Sequence, residues 1–275
     1  MTNTPWQPLP VRLGHAEPED ALYEGVPAHL YGPLVGWITI RVNEPTMRRV
    51  CRRLRIPVNS GASAKQQLVN QAHDITLLYG VDAALHYGTF TYDALHDLGD
   101  ILDDCGSAFR VNDTNDGLEH RVDPAVREAV THAITDALAQ PTSGSAGEHL
   151  AAAWTAAYGI QPDPVSAYSH CIKAVECAAH AIVEPNKDRA TLGTMLGALK
   201  SIPHKFDLNI ATAAGYADPI EAPRTMMRLL WDGQTSRHGK QTPTRPETLE
   251  EARAAVHAAA TLVQWYVSGA ITRLP

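Results

Sequence analysis

Apolar residues recur at three- and four-residue intervals along most of this chain, and that spacing confines it to a mostly helical fold. The clearest case runs over residues 163–184. Asp163 is placed to cap a helix whose first position is Pro164. Val165, Tyr168, Ile172, Val175, Ala179 and Ile182 then share one face, and Pro185 ends the run. Residues 191–200 carry Leu192, Met195, Leu196 and Leu199, and residues 222–231 carry Met226, Met227, Leu229 and Leu230. A capping box, Thr248-x-x-Glu251, opens a last helix that closes at Gly269. Its inner face is Leu249, Ala252, Val256, Ala260, Val263 and Val267. These segments predict a C-terminal four-helix bundle stabilised by burial of its stripes.

The N-terminal half has the same period. Residues 63–86 predict one amphipathic helix through Leu68, Ala72, Ile75, Leu78 and Leu85. Residues 92–104, 125–139 and 151–158 predict three more. One segment differs: Ser107-Ala-Phe-Arg-Val and Leu118-Glu-His-Arg-Val122 flank the polar stretch Asn112-Asp-Thr-Asn-Asp-Gly117. That pattern predicts a small β-hairpin over 107–122. The small-residue stretch Gln140-Pro-Thr-Ser-Gly-Ser-Ala-Gly147 reads as a linker or a loop. The expected organisation is therefore a mainly α chain with an N-terminal helical domain, 1–147, and a C-terminal helical domain, 148–275.

With 44% hydrophobic and 19% charged residues, the chain has enough apolar surface for a core. No apolar run is long enough for a membrane span and no secretory signal opens the sequence, so cytoplasmic location is expected. The cysteines, Cys51, Cys105, Cys171 and Cys177, include no C-x-x-C pair, and reduced thiols are expected rather than a zinc ribbon. Net charge is −7 and uneven: residues up to 159 hold 11 Lys+Arg against 19 Asp+Glu. That balance argues against a nonspecific nucleic-acid coat while leaving room for a local basic site.

Three local patterns carry candidate chemistry. Trp231-Asp-Gly-Gln-Thr-Ser-Arg237-His238-Gly239-Lys240 packs three basic groups into one polar loop. Histidine transfers protons near neutral pH and arginine pairs with phosphate, which suits metal-independent cleavage of an RNA backbone. Ser169, Lys173, Glu176 and His180 form a polar stripe on the 163–184 helix. Arg253, His257, Thr261 and Gln264 form a similar one on the last helix. In the N-terminal half, five arginines lie between Arg48 and Arg55. They read either as a phosphate-binding face or, as expected from the acidic excess, as a surface helix paired with carboxylates. Asp93, Asp97, Asp100 and Asp104 recur along the 92–104 helix and are expected to meet solvent or those arginines. Arg127 and His132, five positions apart on one helix, do not converge. No P-loop, dinucleotide, nucleophile-elbow or zincin motif is present.

Residues 160–269 resemble the HEPN-type C-terminal domain of abortive-infection (Abi-like) bacterial proteins, of the actinobacterial type. The matching residues are Ala167-Tyr-Ser-His-Cys-Ile-Lys-Ala-Val-Glu176, Ala190-Thr-Leu-Gly-Thr-Met-Leu-Gly-Ala-Leu199, Leu230-Trp-Asp-Gly-Gln-Thr-Ser-Arg-His-Gly239 and Glu250-Glu-Ala-Arg-Ala-Ala-Val-His257. The resemblance implies an HEPN-like helical bundle that forms a homodimer. It also implies a metal-independent endoribonuclease of phage defence or toxin–antitoxin type, without cofactor. Arg237 and His238 would be catalytic, with Lys173, Glu176 and Lys240 binding substrate; partners would be RNA and an antitoxin or phage protein. The family signature spaces Arg and His by four to six residues, whereas Arg237 and His238 are adjacent. The alternative is a non-catalytic HEPN-like module that binds nucleotide, RNA or protein. A purely structural scaffold is the third reading.

Overall fold

The computed structural model describes residues 13, 15, 22–210, 218–236 and 244–275. Among them are eleven α-helices and two small two-stranded sheets, so the chain is mainly helical. The chain divides into two compact units, Met1–Leu118 and Glu119–Pro275. The division lies upstream of the boundary expected at 147/148.

In the first unit, α1 (Ala28–Arg41) packs on α5 (Tyr92–Asp104). The Trp37 ring is 3% exposed and stacks on Phe90 with centroids 5.2 Å apart. Its Nε1 donates to the Ala94 carbonyl at 2.7 Å, so a large apolar surface is buried with its one donor satisfied. The next helix, α2 (Glu44–Arg53), buries Met47, Val50 and Cys51 against α3 (Ala64–Gln71) and α4 (Ile75–Tyr87). Asn43 caps α2 by accepting from Thr46 N–H at 2.8 Å, and Glu44 Oε1 accepts from Ala64 N–H at 2.6 Å at the start of α3.

Residues 63–86 form two helices and not one. The break centres on Asp74, whose φ of 50° is incompatible with a right-handed helix. Asp74 Oδ1 accepts from Val26 N–H at 2.7 Å. A Cβ on Gly25 would lie 2.0 Å from that oxygen, so glycine is what lets the carboxylate reach the Val26 amide. This long-range demand ends the helix despite the favourable apolar period.

The expected hairpin is present as β1 (Phe109–Val111) and β2 (Leu118–His120). Its turn closes through Asn112 N–H to the Gly117 carbonyl at 3.0 Å. Asp82 of α4 supports it by accepting from Leu118 N–H at 2.8 Å. The unit division falls inside β2.

The second unit contains α6 (Pro124–Ala139), α7 (Ala146–Tyr158), α8 (Pro164–Val183), α9 (Leu192–Ser201), α10 (Glu221–Gly233) and α11 (Leu249–Val267). All four helices expected after residue 160 occur, but the bundle is differently composed. Its most extensively packed members are α6, α7, α8 and α11, while α9 and α10 pair with each other against α8 and α11. The reason lies in small side chains. Ala153, Ala157, Ala167, Ala174, Ala178, Ala255 and Ala259 are all buried, and they let α7, α8 and α11 approach closely.

The stretch expected as a linker or a loop is a tight corner inside this unit. Pro141–Ser143 forms one 3₁₀ turn, and buried Ser143 Oγ lies 2.5 Å from the Ala137 carbonyl that it helps to satisfy. Gly147 lies inside α7, where a Cβ would meet Leu138 Cγ at 2.7 Å and the Ile134 carbonyl at 2.9 Å. Glycine there lets α6 and α7 cross.

A second sheet has no counterpart among the sequence patterns. β3 (Phe206–Leu208) pairs antiparallel with β4 (Ile271–Arg273), with Phe206 opposite Arg273 and Leu208 opposite Ile271. No helix among the described residues is long and apolar enough to cross a membrane.

Candidate functional site

Arg237, His238 and Lys240 lie outside the described residues, but both stems of their loop are visible. Helix α10 ends at Gly233, and α11 begins after its N-cap, Thr248. Between them sits Glu247, only 4% exposed. Its Oε1 accepts from Ser236 N–H at 2.9 Å and lies 3.5 Å from Thr235 Oγ1. Thr235 Oγ1 also donates to the Arg245 carbonyl at 2.6 Å. One buried carboxylate thus ties the outgoing and returning strands of the loop together.

Burial opposes ionisation of Glu247, yet donors from Ser236, Thr235 and its own backbone hold the carboxyl below the usual Glu range. Its Oε2 is buried with no partner among the described residues. On the returning stem, Arg245 forms a bidentate pair with Glu251 at 2.6 and 2.8 Å, and Thr248 N–H also bonds Glu251. Those bonds pull the Glu251 carboxyl down to about 2. The capping box found in the sequence therefore also anchors the loop.

Removing the Glu247 carboxylate leaves the Ser236 amide short of its acceptor. Glu247→Ala is expected to cost about 1–3 kcal/mol, read as a lower denaturant midpoint in urea unfolding. Faster proteolysis between Gly233 and Thr248 is expected alongside. An unchanged midpoint with unchanged cleavage would refute the clamp.

Lys173 and Glu176 both lie on α8, but they do different work. Glu176 Oε1 accepts from Leu192 N–H at 2.6 Å and so satisfies the first turn of α9. Lys173 is exposed. Its charge acts on two groups that no sequence pattern marks, His149 of α7 and His170 of α8. Their Nδ1 atoms are 3.1 Å apart and their ring centroids 5.3 Å apart, a separation close to nitrogen-to-nitrogen alignment. Which imidazole donates depends on the tautomer each ring adopts.

Burial first, then the nearby Lys173 ammonium, lowers the pKa of both rings. Neither residue has a helical-period signal, because each sits on the flank of its helix. Only the α7–α8 crossing brings them together.

On α11 the polar stripe borders a groove against α6. The groove encloses about 480 Å³ and is lined by Val126, Val130, Ala260 and Trp265 together with His257 and Gln264. His257 Nε2 shares a hydrogen bond with Tyr158 Oη at 2.8 Å. Arg253 lies 4.9 Å from the Tyr158 ring centroid and donates from Nε to the Ala157 carbonyl at 3.3 Å. Burial lowers the His257 pKa and raises that of Tyr158, so this hydrogen bond is between neutral groups. Gln264 Nε2 donates to Asp136 Oδ2 at 2.8 Å, fixing the amide at one end of the groove. An apolar recess with a few fixed polar groups has the character of a small-ligand pocket.

His149, His170 and His257 all have folded pKa values below their unfolded value. Each binds its proton more readily when the chain unfolds. Their contribution to stability is therefore full above about pH 6.5 and is lost as pH falls through the folded values. Melting temperature is expected to fall over that window, and His149→Gln with His170→Gln should reduce the fall. A melting temperature independent of pH from neutrality to about pH 5 contradicts this.

The remaining sequence candidates separate. Arg127 pairs with Glu119 at 3.4 Å, while His132 is exposed further along α6. The acidic face of α5 meets α1 through Arg41–Asp97, and His96 pairs with Asp100 at 2.9 Å. Among the described residues, neither Asp97 nor Asp100 pairs with an arginine of α2. Among the described residues no group of three or more His, Cys, Asp or Glu side chains is arranged to hold a metal ion. Comparison with family models, curated proteins and solved structures finds no match.

Proposed function

We propose that this chain is an abortive-infection-type, HEPN-like defence protein that cleaves RNA without a metal ion, using the loop that carries Arg237, His238 and Lys240. The observation that carries this reading is Glu247. A buried carboxylate fastens the two stems that flank the segment carrying these basic residues, and a solvated connector has no need of such a clamp. In the proposed reaction His238 accepts the proton of a ribose 2′-hydroxyl, whose oxygen attacks the adjacent phosphorus. The 5′-oxygen then leaves with a proton. The products are a 2′,3′-cyclic phosphate and a free 5′-hydroxyl, and Arg237 offsets the charge that gathers on the phosphoryl oxygens.

Incubating total RNA with the protein in EDTA, beside His238→Ala, tests this. Cyclic-phosphate ends produced by the parent alone support it, and intact RNA with the parent overturns it. A non-catalytic binding module is the second reading. The α6–α11 groove favours it, because an apolar recess of about 480 Å³ suits a base-sized ligand.

A further inference from the structure

The arginines of α2 are the motif that the fold leaves unused. Met47, Val50 and Cys51 face inward. Arg49, Arg52 and Arg53 lie at i, i+3 and i+4 on the outer face, all exposed. Arg55 follows with φ at 57°, also exposed, so the cationic surface continues past the helix end.

Of the carboxylates expected to neutralise this cluster, Asp97 and Asp100 are engaged elsewhere, as are Glu44 and Asp82. Glu44 takes Arg48 at 3.3 Å and the Ala64 amide, Asp97 takes Arg41, Asp100 takes His96, and Asp82 supports the hairpin. Among the described residues Arg49, Arg52, Arg53 and Arg55 make no ion pair. The negative end of α2 favours Arg52 and Arg53 in its last turn. It does not account for Arg49, a turn earlier, or for Arg55 beyond the helix. Like charges at i, i+3 and i+4 on one helix face repel one another, and in a chain of net charge −7 they are not a by-product of general basicity.

The patch also has an aromatic component. Arg49 sits over the Tyr87 ring, 4.1 Å from its centroid. His86, exposed, meets Tyr87 edge-on with centroids 4.7 Å apart. A guanidinium stacked on an aromatic ring keeps its in-plane N–H groups directed outward, where phosphate oxygens can accept from them. The large hydrophobic side chains of residues 41–91 are buried or half-buried, whereas Ile40 and Tyr92 just outside that span are exposed.

We infer that the outer face of α2, with Arg49, Arg52, Arg53 and Arg55 flanked by Tyr87 and His86, binds the sugar-phosphate backbone of single-stranded RNA. This rests on the reading of RNA as ligand, but it places RNA binding on the first unit and assigns that unit a task of its own.

Binding and cutting are separated by working in the His238→Ala background, where RNA survives if the cleavage reading holds and is equally intact if it fails. Fluorescence anisotropy of a short labelled single-stranded RNA is followed as salt is raised. Taking three arginines off the phosphates of a single strand lowers the log–log salt slope by about 2 and weakens binding tenfold or more at low salt. Arg52→Ala/Arg53→Ala/Arg55→Ala is expected to show that change, with an unchanged circular dichroism spectrum because the three side chains are exposed and with a melting temperature lowered by a few degrees at most, since Arg52 and Arg53 lose their place at the negative end of α2. Arg→Lys at the same positions should keep most of the salt slope.

RNA binding equal in parent and triple-Ala protein overturns the inference, whatever the nuclease assay shows. So does absence of RNA binding combined with tight binding to phosphatidylserine vesicles. Cyclic-phosphate ends missing from the parent digest, with arginine-dependent anisotropy retained, would remove the cleavage reading and leave this inference standing.

Discussion

His238→Ala is expected to lower RNA cleavage by about two to four orders of magnitude, the usual contribution of a positioned general acid–base group. The loss should fall on kcat, because in the proposed reaction the imidazole would act on a proton in flight and contribute little to holding the RNA. Arg237→Ala is expected to raise KM as well, since a guanidinium meets phosphate in both the ground and the transition state. Adjacent side chains diverge, by about 100° on a helix and to opposite faces of a strand. If each subunit of a dimer contributes one group, mixing Arg237→Ala with His238→Ala protein restores part of the activity. If one subunit contributes both, the mixture contains no competent site beyond residual parent-like activity and stays dead. Equal cleavage by parent and His238→Ala protein removes His238 from the chemistry altogether.

Phe206→Ala is the substitution expected to cost the second unit most, about 3–5 kcal/mol, as for other fully buried aromatic rings. The ring is 1% exposed, and Arg273 lies over it at 5.5 Å from the centroid. Phe206 also begins the strand that pairs with β4, so its loss loosens the attachment of the C-terminal strand. Arg273 Nη1 donates to the Val183 carbonyl at 3.1 Å and thereby ties β4 to the end of α8. Urea unfolding followed by tryptophan fluorescence measures the change. A loss below about 1 kcal/mol would mean that the β3–β4 region is not part of the cooperative unit.

That strand pair marks a boundary of what a linear reading sees. Three-residue strands carry no periodic signal, and Phe206-Asp-Leu208 and Ile271-Thr-Arg273 are 63 positions apart between Leu208 and Ile271. Their pairing depends on helices α10 and α11 bringing the chain back. The hairpin at residues 109–120 is as small, but its strands are joined by a six-residue turn rich in Asn, Asp and Gly, and local chemistry suffices to place it. Two of the helices after residue 160 have starts that are legible for a similar reason: Asp163 and Thr248 cap them, as their side chains do at 3.0 and 3.2 Å.

The candidate sites follow the same division. The stripe of Arg253, His257, Thr261 and Gln264 is visible in sequence because one helix carries it, whereas the groove it borders requires α6. Lys173 stands out in sequence for its place beside Glu176. Its relation to His149 and His170 emerges only where α7 crosses α8. Glu247 gives no signal at all, since an isolated Glu before a helix cap resembles any surface carboxylate until its burial is known.

By itself, the order of residues determined the helical character, most helix starts and the hairpin, because these rest on interactions within a few positions of the chain. Tertiary structure decided which helices form the core of the second unit. It also broke the 63–86 helix at Asp74 and, among the described residues, left Arg49, Arg52 and Arg53 of α2 without the carboxylate partner that Arg48 has in Glu44. Each of those outcomes turns on distances between groups far apart in sequence, where burial and pairing outweigh the few tenths of a kcal/mol that local preference supplies.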